Sequence, residues 1–316
     1  MNLTGQTLLV LSVYIITFLT GLPSNLLALY TFSVKVHQKP TPVDILLLNL
    51  SISDLLLLIF LPFKMVEAAA DMKWPLPFFL CPLVVYVYFN SIYSSTLFLT
   101  AISVERYLGV AYPIRYKTNR KCKHAVMACI FIWFFCGLQC SFTYIILYHV
   151  PGNKSDDTGC YTSFTKNQLK FLMPYRLEVC VVLFCIPFVI TIFCYVNFIR
   201  ILLTMPKVSG KRKQRAVGLV AVTLSNFILC FAPYNISHIV GFVKNYSPSW
   251  RTYALLLSTL NASLDPLLFY FSSTAIQAAL KDCISRLRRR LSLTGRSVFC
   301  GQARQSSTNA TDTSTE

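Results

Sequence analysis

Two arginines, a histidine and a tyrosine lie in or beside apolar stretches of this chain, where polar and charged side chains are rare. Tyr234 and His238 are four residues apart, so they share one face of a helix. Arg176 and Arg251 keep their positive charge at any ordinary pH. Guanidinium groups bind a carboxylate through paired hydrogen bonds, which imidazole and phenol groups can supplement. A pocket that combines them would favour a small carboxylate, with phosphate as its chemical rival.

Each of these residues also has a simpler interpretation. A basic side chain near the end of a membrane helix often extends its charged group to the interface. That behaviour alone would account for Arg176 or for Arg251 taken singly. Glu178 is no obvious counterion, because it follows Arg176 by two residues and points elsewhere on a helix.

The segments that carry these residues are long apolar runs. The chain has 316 residues, of which 55% are hydrophobic and 13% charged, whereas soluble domains have about 25% charged residues. Seven runs reach the roughly 20 residues that a helix needs to cross a bilayer. Backbone groups inside hydrocarbon must be satisfied internally, which favours helices here. We predict an all-α seven-helix membrane domain over residues 1–273, with spans near 8–33, 43–66, 78–107, 125–148, 175–203, 216–242 and 251–272.

The basic residues predict the orientation of the chain. No Lys or Arg precedes the first run, which we interpret as a retained signal-anchor. Predicted inner loops carry most of the net charge of +17, so the N-terminus should be extracellular and the C-terminus cytoplasmic. This charge suits contact with anionic membrane lipid and no nucleic acid. The sequons at Asn2 and Asn153 fall in predicted outer segments, where N-glycosylation is possible.

Most of the twelve cysteines lie within or beside apolar runs and behave as small hydrophobic residues. Cys81 and Cys160 differ, because they fall at the outer end of the third span and in the long outer loop. The oxidising exterior permits a disulfide between them. Cys283 and Cys300 in the basic tail are weaker candidates for lipidation.

The chain after the seventh run has two predicted parts. Residues 274–291 place apolar side chains on one helical face and bases on the other, which predicts an amphipathic eighth helix on the membrane surface. Residues 292–316 are rich in Ser and Thr, which predicts a disordered cytoplasmic tail. Phosphorylation of this tail could recruit arrestin, or the tail could simply be disordered.

Ionisable groups inside membrane spans are costly and therefore mark functional candidates. Asp54 in LSISDLLLL is the clearest of them, and Asn25, Asn261 and Asp265 could meet it inside the bundle. This pattern predicts a polar switch that could hold a sodium ion, or a hydrogen-bonded cluster that only packs the helices. The residue types fit both.

Short motifs in family order resemble the rhodopsin-like G-protein-coupled receptors. They are GLPSNLL, LSISDLLL, Cys81, SVERYLGV, Trp133, Pro187 with Tyr195, CFAPY and DPLLFY. The resemblance implies that Glu105 restrains Arg106 until a heterotrimeric G protein docks. It also implies that Pro233 acts as a hinge in the sixth helix and that Tyr195 braces the opened cavity.

Three positions depart from that family pattern. Phe231 stands where many members have Trp, and Asp265 replaces the commoner Asn. Phe269 occupies the place of the usual Tyr, which follows as Tyr270. The rearrangement of the seventh helix is therefore expected to differ in detail.

Longer stretches resemble the short-chain free fatty acid receptors from end to end apart from the tail. They are VDILLLNLSISDLLLLIFLPFKMVEAA, PYRLE, PYNISHIVGF, SPSWR and LDPLLFYFSS. The resemblance implies that helices five to seven are neighbours and that Arg176, Arg251 and His238 hold an acid's carboxylate beside Tyr234. Gln139 replaces an expected His, and Thr162 stands where at least one member has an acidic residue.

We therefore expect a plasma-membrane receptor for short-chain fatty acids that signals through inhibitory or Gq-class G proteins. An alternative is a receptor for another anion, such as a longer fatty acid, a dicarboxylate or a nucleotide. A transporter is a second alternative, but the odd helix count and the lack of an evident inverted repeat argue against it. No enzyme activity, cofactor or metal is expected, because the four histidines are scattered without metal or triad spacing.

Overall fold

The computed structural model describes residues 5–114, 116, 122–149, 160–161, 164–206, 208–282 and 285–286. Within these ranges it contains seven helices that are long and apolar enough to cross a membrane, and no strand. The predicted fold class, an all-α seven-helix bundle, is confirmed. The helices are α1 Gly5–Gln38, α2 Pro42–Ala69, α3 Leu80–Ala111, α4 Cys122–His149, α5 Lys166–Thr204, α6 Gly210–Lys244 and α7 Arg251–Ser272.

The starts of α2 and α5 have side-chain caps, and α5 and α6 begin several residues before their predicted spans. Thr41 caps α2 by accepting a hydrogen bond from the Asp44 N–H, with Pro42 in the first turn. Helix α5 begins at Lys166 instead of near residue 175. Thr165 and Gln168 form a reciprocal capping box that starts the helix before its apolar run begins.

The helices pack in a ring in which α3 is the most enclosed. Helix α1 contacts α2 and α7, α3 contacts α2, α4 and α5, and α6 lies between α5 and α7. Polar side chains join neighbours: Asn25 donates to the Ala262 carbonyl across 2.8 Å, and Trp133 donates to Asn49 across 3.0 Å. Such bonds are a usual means of holding membrane helices together.

Two helices on the side of the predicted site are locally widened. A π-helical turn covers Val181–Cys185 in α5 and another covers Asn226–Phe231 in α6. Each lies just before a proline, Pro187 and Pro233, which lacks the backbone N–H that a regular helix would use. Helix α7 is also interrupted, at Leu260. The helices that carry the predicted binding residues are therefore not uniform rods.

The predicted cysteine pair, Cys81 and Cys160, forms a disulfide with an S–S distance of 2.03 Å. We call the end of the bundle that carries it the disulfide end, and the opposite end the far end. Cys160 is buried, and its backbone N–H donates to the Glu67 carboxylate across 3.0 Å. The short described segment around Cys160 is thus attached to both α2 and α3.

Several predictions fall on residues outside the described ranges. They concern the sequons at Asn2 and Asn153, the loop residue Thr162, the tail cysteines Cys283 and Cys300, and the tail from 287 onwards. Residues 274–282 and 285–286 are helical, so the predicted eighth helix is described only in part.

Candidate functional site

The four predicted binding residues all come from α5, α6 and α7, and all are buried. The exposed fraction is 4% for Arg176, 2% for Tyr234 and His238, and 8% for Arg251. Neither arginine reaches the outside of the bundle. The structure therefore does not support the simpler interpretation in which each extends to the interface.

An aromatic ring that sequence reasoning did not single out connects the two arginines. The guanidinium carbon of Arg176 lies 5.7 Å from the centre of the Tyr161 ring, and that of Arg251 lies 5.2 Å from it. Arg176 also lies 4.8 Å from the ring of Phe164. Positive charges at these distances are attracted to the ring faces, so Tyr161 lies between two cations.

The hydroxyl groups around the arginines satisfy part of their hydrogen-bonding capacity. Arg251 Nη2 donates to the Tyr234 hydroxyl across 3.0 Å. His238 packs edge-on against Tyr234, with ring centres 4.5 Å apart, and its Nε2 lies 3.4 Å from the Tyr93 hydroxyl.

Other nitrogens of the same cluster are buried without a partner among the described residues. They are Nε and Nη2 of Arg176, Nε of Arg251 and Nδ1 of His238. Neither of the two ion pairs in the described part of the chain involves these residues. Buried polar groups are nearly always hydrogen-bonded, so the cluster is suited to an anionic guest.

Among the described residues at this end of the bundle, two cavities share Tyr161 and Phe89 in their linings. The smaller has a volume of about 20 Å³, counted over the positions that the centre of a water molecule can take, and Arg176, Tyr234 and His238 line it. The larger has a volume of about 170 Å³ on the same measure, and Arg251 lines it. The sequence predicted both arginines in one pocket. Here they line different cavities, but both lie beside the Tyr161 ring, and Arg251 donates to Tyr234, which lines the smaller cavity with Arg176.

The electrostatic effect of the two arginines is visible at Tyr161 itself. Partial burial of its phenol raises the pKa, but the nearby charges of Arg176 and Arg251 lower it more, so the net pKa is below the ordinary value for tyrosine. The two guanidinium charges therefore favour the ionised form of the Tyr161 phenol.

Comparison with known proteins identifies the architecture. Residues 24–269 match the family described as 7 transmembrane receptor (rhodopsin family). The chain belongs to this receptor family. It is 50% identical to free fatty acid receptor 3 of Mus musculus, with 90% of this chain and 89% of that protein covered. It is also 50% identical to free fatty acid receptor 2 of Rattus norvegicus, over 89% and 86% of the two chains. Identity to G-protein coupled receptor 42 of Homo sapiens is 49%, over 90% and 82%.

These similarities establish the class of the protein. It is a G-protein-coupled receptor of the free fatty acid receptor 2 and 3 type, and not an enzyme. As a member of this family it is a multi-pass protein of the plasma membrane. Similar identity to both receptor types leaves the chain between them.

Two residues of the receptor's site escaped the sequence argument. Tyr161 directly follows the loop cysteine of the predicted disulfide. Since a disulfide fixes the residues beside it, the sequence could have indicated that Tyr161 is held near the pocket. Glu67 is a carboxylate in an apolar run, and it is only 1% exposed. The rule that singled out Asp54 would also have selected it.

The replacement of histidine by Gln139 has a structural context. The Gln139 side chain donates to the Glu178 carboxylate across 3.0 Å, and its backbone carbonyl accepts from Tyr175. Gln139 is absent from the lining of the small cavity, although its neighbour Cys140 is present. Glu178 faces α4 and not Arg176, as the helical spacing predicted.

The intramembrane carboxylates form a cluster between α2, α3, α6 and α7. Ser95 donates to Asp54 across 3.3 Å, and Asn226 donates to Asp265 across 2.5 Å. Each carboxylate keeps one buried oxygen without a partner among the described residues, and Asn261 is buried nearby in α7. The arrangement fits both interpretations made from the sequence. A sodium ion near Asp54 stays a prediction.

The residues expected to move during signalling lie at the far end, and one expected contact differs. Glu105 accepts a hydrogen bond from the Tyr116 hydroxyl across 2.7 Å. No ion pair joins it to Arg106 in the described part of the receptor. Adjacent helical residues point in different directions, and the Tyr116 hydroxyl is in reach of the carboxylate. The restraint of Arg106 by Glu105 is therefore not seen in this structure.

The other switch residues pack closely in α5 and α6. The Tyr195 hydroxyl lies 3.1 Å from that of Thr223, which joins the two helices. Phe231, in place of the usual Trp, is 1% exposed and packs edge-on against Phe227. Pro233 lies two residues after Phe231, which is the last residue of the widened turn of α6.

Proposed function

We propose that this receptor responds to short-chain carboxylic acids such as acetate, propionate and butyrate. The acid's carboxylate binds Arg176, Arg251 and His238 with help from the Tyr234 hydroxyl. The signal passes to a heterotrimeric G protein, of the inhibitory or Gq class, at the far end. The names of the relatives indicate free fatty acids as their ligands.

The observation that carries the proposal is the set of buried donors without partners around Arg176. The guanidinium group is nearly inaccessible, two of its nitrogens lack a partner, and no acidic side chain is among the described residues that line its cavity. Burying a charge without a counterion is costly. A carboxylate would relieve this cost with charge-assisted hydrogen bonds, which are the strong ones.

The size of the cavity favours small acids over the other anions. A volume of about 20 Å³ on this measure holds one or two water-sized molecules. A nucleotide would not fit, and even acetate requires the aromatic side chains that line the cavity to move. Short acyl chains need the smallest adjustment.

The orientation of the chain is part of the same proposal. The disulfide end faces the outside of the cell, because disulfides form in an oxidising environment and the basic loops favour the cytoplasm. Acids then reach Arg176 and His238 from the extracellular side. The basic loops at the far end contact lipid headgroups and flank the G protein, and the phosphorylated tail recruits arrestin.

Coupling from the acid to the G protein requires a difference in affinity between two states of the receptor. One carboxylate that contacts α5, α6 and α7 together favours the state in which their disulfide ends are closer. The widened turn and Pro233 in α6 allow the far end of that helix to swing in return. Arg106 and Tyr195 then meet the G protein.

The proposal is tested by the response of cells that express the receptor to acids from acetate to decanoate. We expect responses to the short acids and a loss of at least about 100-fold in potency for Arg176→Ala. Arg176→Lys should lose less potency than Arg176→Ala, because it keeps the charge but not the planar fork. Lys170→Ala is a matched control, because Lys170 is an exposed base on α5. Acetamide and methyl acetate should be inactive.

Two results would reject this function. One is an equal response to the neutral amides and esters, since no carboxylate would then be needed. The other is a full response of Arg176→Ala and Arg251→Ala when both reach the cell surface at normal levels.

A further inference from the structure

Tyr161 and Phe89 are the two described residues that line both the small and the large cavity. The two rings contact each other edge-on, with centres 5.4 Å apart. On one side of them lies the small cavity with Arg176. On the other side lies the larger cavity with Arg251. The two aromatic side chains therefore form a wall between a small space and a space several times larger.

The wall is held in place by contacts on each side of the Tyr161 side chain. Before it, Cys160 is bonded to Cys81 on α3, and its N–H donates to the Glu67 carboxylate. After it, the Tyr161 ring packs edge-on against Phe164, with centres 4.8 Å apart. Glu67 is itself fixed by Lys64, whose ammonium group lies 2.8 Å from the second carboxylate oxygen.

The backbone of Tyr161 also shows that its position is imposed. Its φ is 67°, in the left-handed region that side chains other than glycine rarely adopt. Such a conformation persists only where the surroundings determine it. The disulfide and the two guanidinium groups that face the ring hold Tyr161 in this conformation.

The larger cavity could accommodate an acyl chain if it were open to the smaller one. Its lining includes the apolar side chains of Val85, Met72 and Leu255 and the aromatic rings of Tyr14 and Tyr88. Each methylene buried against such a surface multiplies affinity by about four. The closed wall denies longer acids this gain.

We infer that Tyr161 is a chain-length determinant of the receptor, because its ring, with Phe89, closes the carboxylate cavity from the larger cavity beside it. The inference rests on the proposed function and adds the residue that sets its specificity. Short acids keep their acyl chain on the Arg176 side of the wall, and Arg251 reaches their carboxylate beside Tyr234, which lines that cavity. Acids of about six to ten carbons are excluded because their chains meet the two rings.

The test compares the potency of propionate and octanoate on three single variants and one double variant of the full-length receptor. Tyr161→Gly removes the ring, and glycine adopts a positive φ without strain. Tyr161→Phe keeps the ring and removes only the hydroxyl. Phe89→Ala opens the wall from the α3 side and replaces the first variant if that one does not reach the cell surface.

We expect Tyr161→Gly and Phe89→Ala to raise the potency of octanoate relative to propionate by about tenfold or more, since several methylenes become buried. Tyr161→Phe should change the potency of both acids by a similar factor and leave their ratio near that of the unmodified receptor. Adding Val85→Phe to Tyr161→Gly fills part of the larger cavity, so it should cancel the gain for octanoate.

The outcomes separate the two claims. If the unmodified receptor ignores all short acids, the proposed function fails and the inference fails with it. If the receptor responds to propionate through Arg176 but both wall variants keep the original potency ratio, only the inference is overturned. A gain for octanoate that Val85→Phe does not reduce would also overturn it, since the chain would then lie elsewhere.

Discussion

At the scale of single residues, the two arginines differ in how far the protein already satisfies them. Arg251 donates to Tyr234 and lies near two ring faces. Arg176 lies near the rings of Tyr161 and Phe164, and two of its nitrogens have no hydrogen-bond partner among the described residues. Arg176 therefore gains more from a bound carboxylate, and its replacement should cost more potency than that of Arg251.

His238 provides a residue-scale prediction. His238→Phe keeps a flat ring against Tyr234 but removes both ring nitrogens. A hydrogen bond to a charged group is worth about 1.5–3 kcal/mol, so the concentration of propionate for half-maximal response should rise roughly 10- to 150-fold. Tyr93→Phe is the control, because it removes only the distant hydroxyl partner of His238, and it should have a smaller effect. Unchanged potency in His238→Phe would exclude a direct contact with the acid.

Gln139 provides a second residue-scale prediction, this time of a weak effect. Its side chain bonds to Glu178 outside the small cavity. Gln139→His should therefore change propionate potency by less than about threefold, in line with the small effects of substitutions away from a site. Dose–response curves check this directly. A change of tenfold or more would show that position 139 reaches the acid after all.

At the scale of helices, the structure adds features to α5 and α6 that the sequence only partly indicated. Pro233 was recognisable as a hinge because proline lacks a backbone donor. The widened turn Asn226–Phe231 was not recognisable. A π-helical turn depends on how the helix packs against α7, where Ser258 donates to the Cys230 carbonyl across 2.8 Å. None of the residue types in the turn predicts that contact.

Pro233→Ala is the corresponding helix-scale prediction. Alanine restores an N–H and can extend a regular helix through this point, which stabilises a straight α6 by up to about 3 kcal/mol. We expect the maximal G-protein nucleotide exchange to fall by roughly half or more, with half-maximal concentrations less affected. Pro62→Ala in α2 is the control, because that helix has no assigned movement. An undiminished maximal response would show that the hinge is not needed.

The same scale shows where prediction from the sequence succeeded and failed. All seven spans were recoverable, because each apolar run reaches the length that a bilayer requires. The start of α5 was placed about nine residues too late, because only hydropathy was considered and the Thr165–Gln168 capping box was overlooked. The wall at Tyr161 was not predictable, since its closing of a cavity depends on residues from α3, α5 and α7 that only the folded chain brings together.

At the scale of the whole molecule, the positions of the disulfide and of the basic residues agree with the proposed orientation. The disulfide and the buried arginines lie at one end, and Arg106 and Tyr195 lie at the other. The loops with most lysines and arginines belong to the second end. Under the proposed function, an extracellular carboxylate and a cytoplasmic G protein would reach opposite ends of the same bundle.

N-glycosylation tests that orientation. Asn153→Gln should remove a glycosidase-sensitive increase in apparent mass, because the loop that carries Asn153 would face the lumen during synthesis. Asn309→Gln is the matched control, since its sequon lies in the predicted cytoplasmic tail and should carry no glycan. Electrophoresis before and after glycosidase treatment gives the result. A glycan at Asn309 would reverse the proposed orientation.

The small volume beside Arg176 restricts the ligand to a few heavy atoms, and this in turn limits how long the ligand stays bound. Acetate has four heavy atoms, and the best tiny ligands reach about −1.5 kcal/mol per atom, which limits the dissociation constant to roughly tens of micromolar. With ordinary association rates near 10⁶ M⁻¹s⁻¹, departure then takes on the order of tens of milliseconds. The fraction of receptor occupied would then follow the surrounding acid concentration almost without delay. Such weak and rapid binding suits a ligand that is present at high concentration.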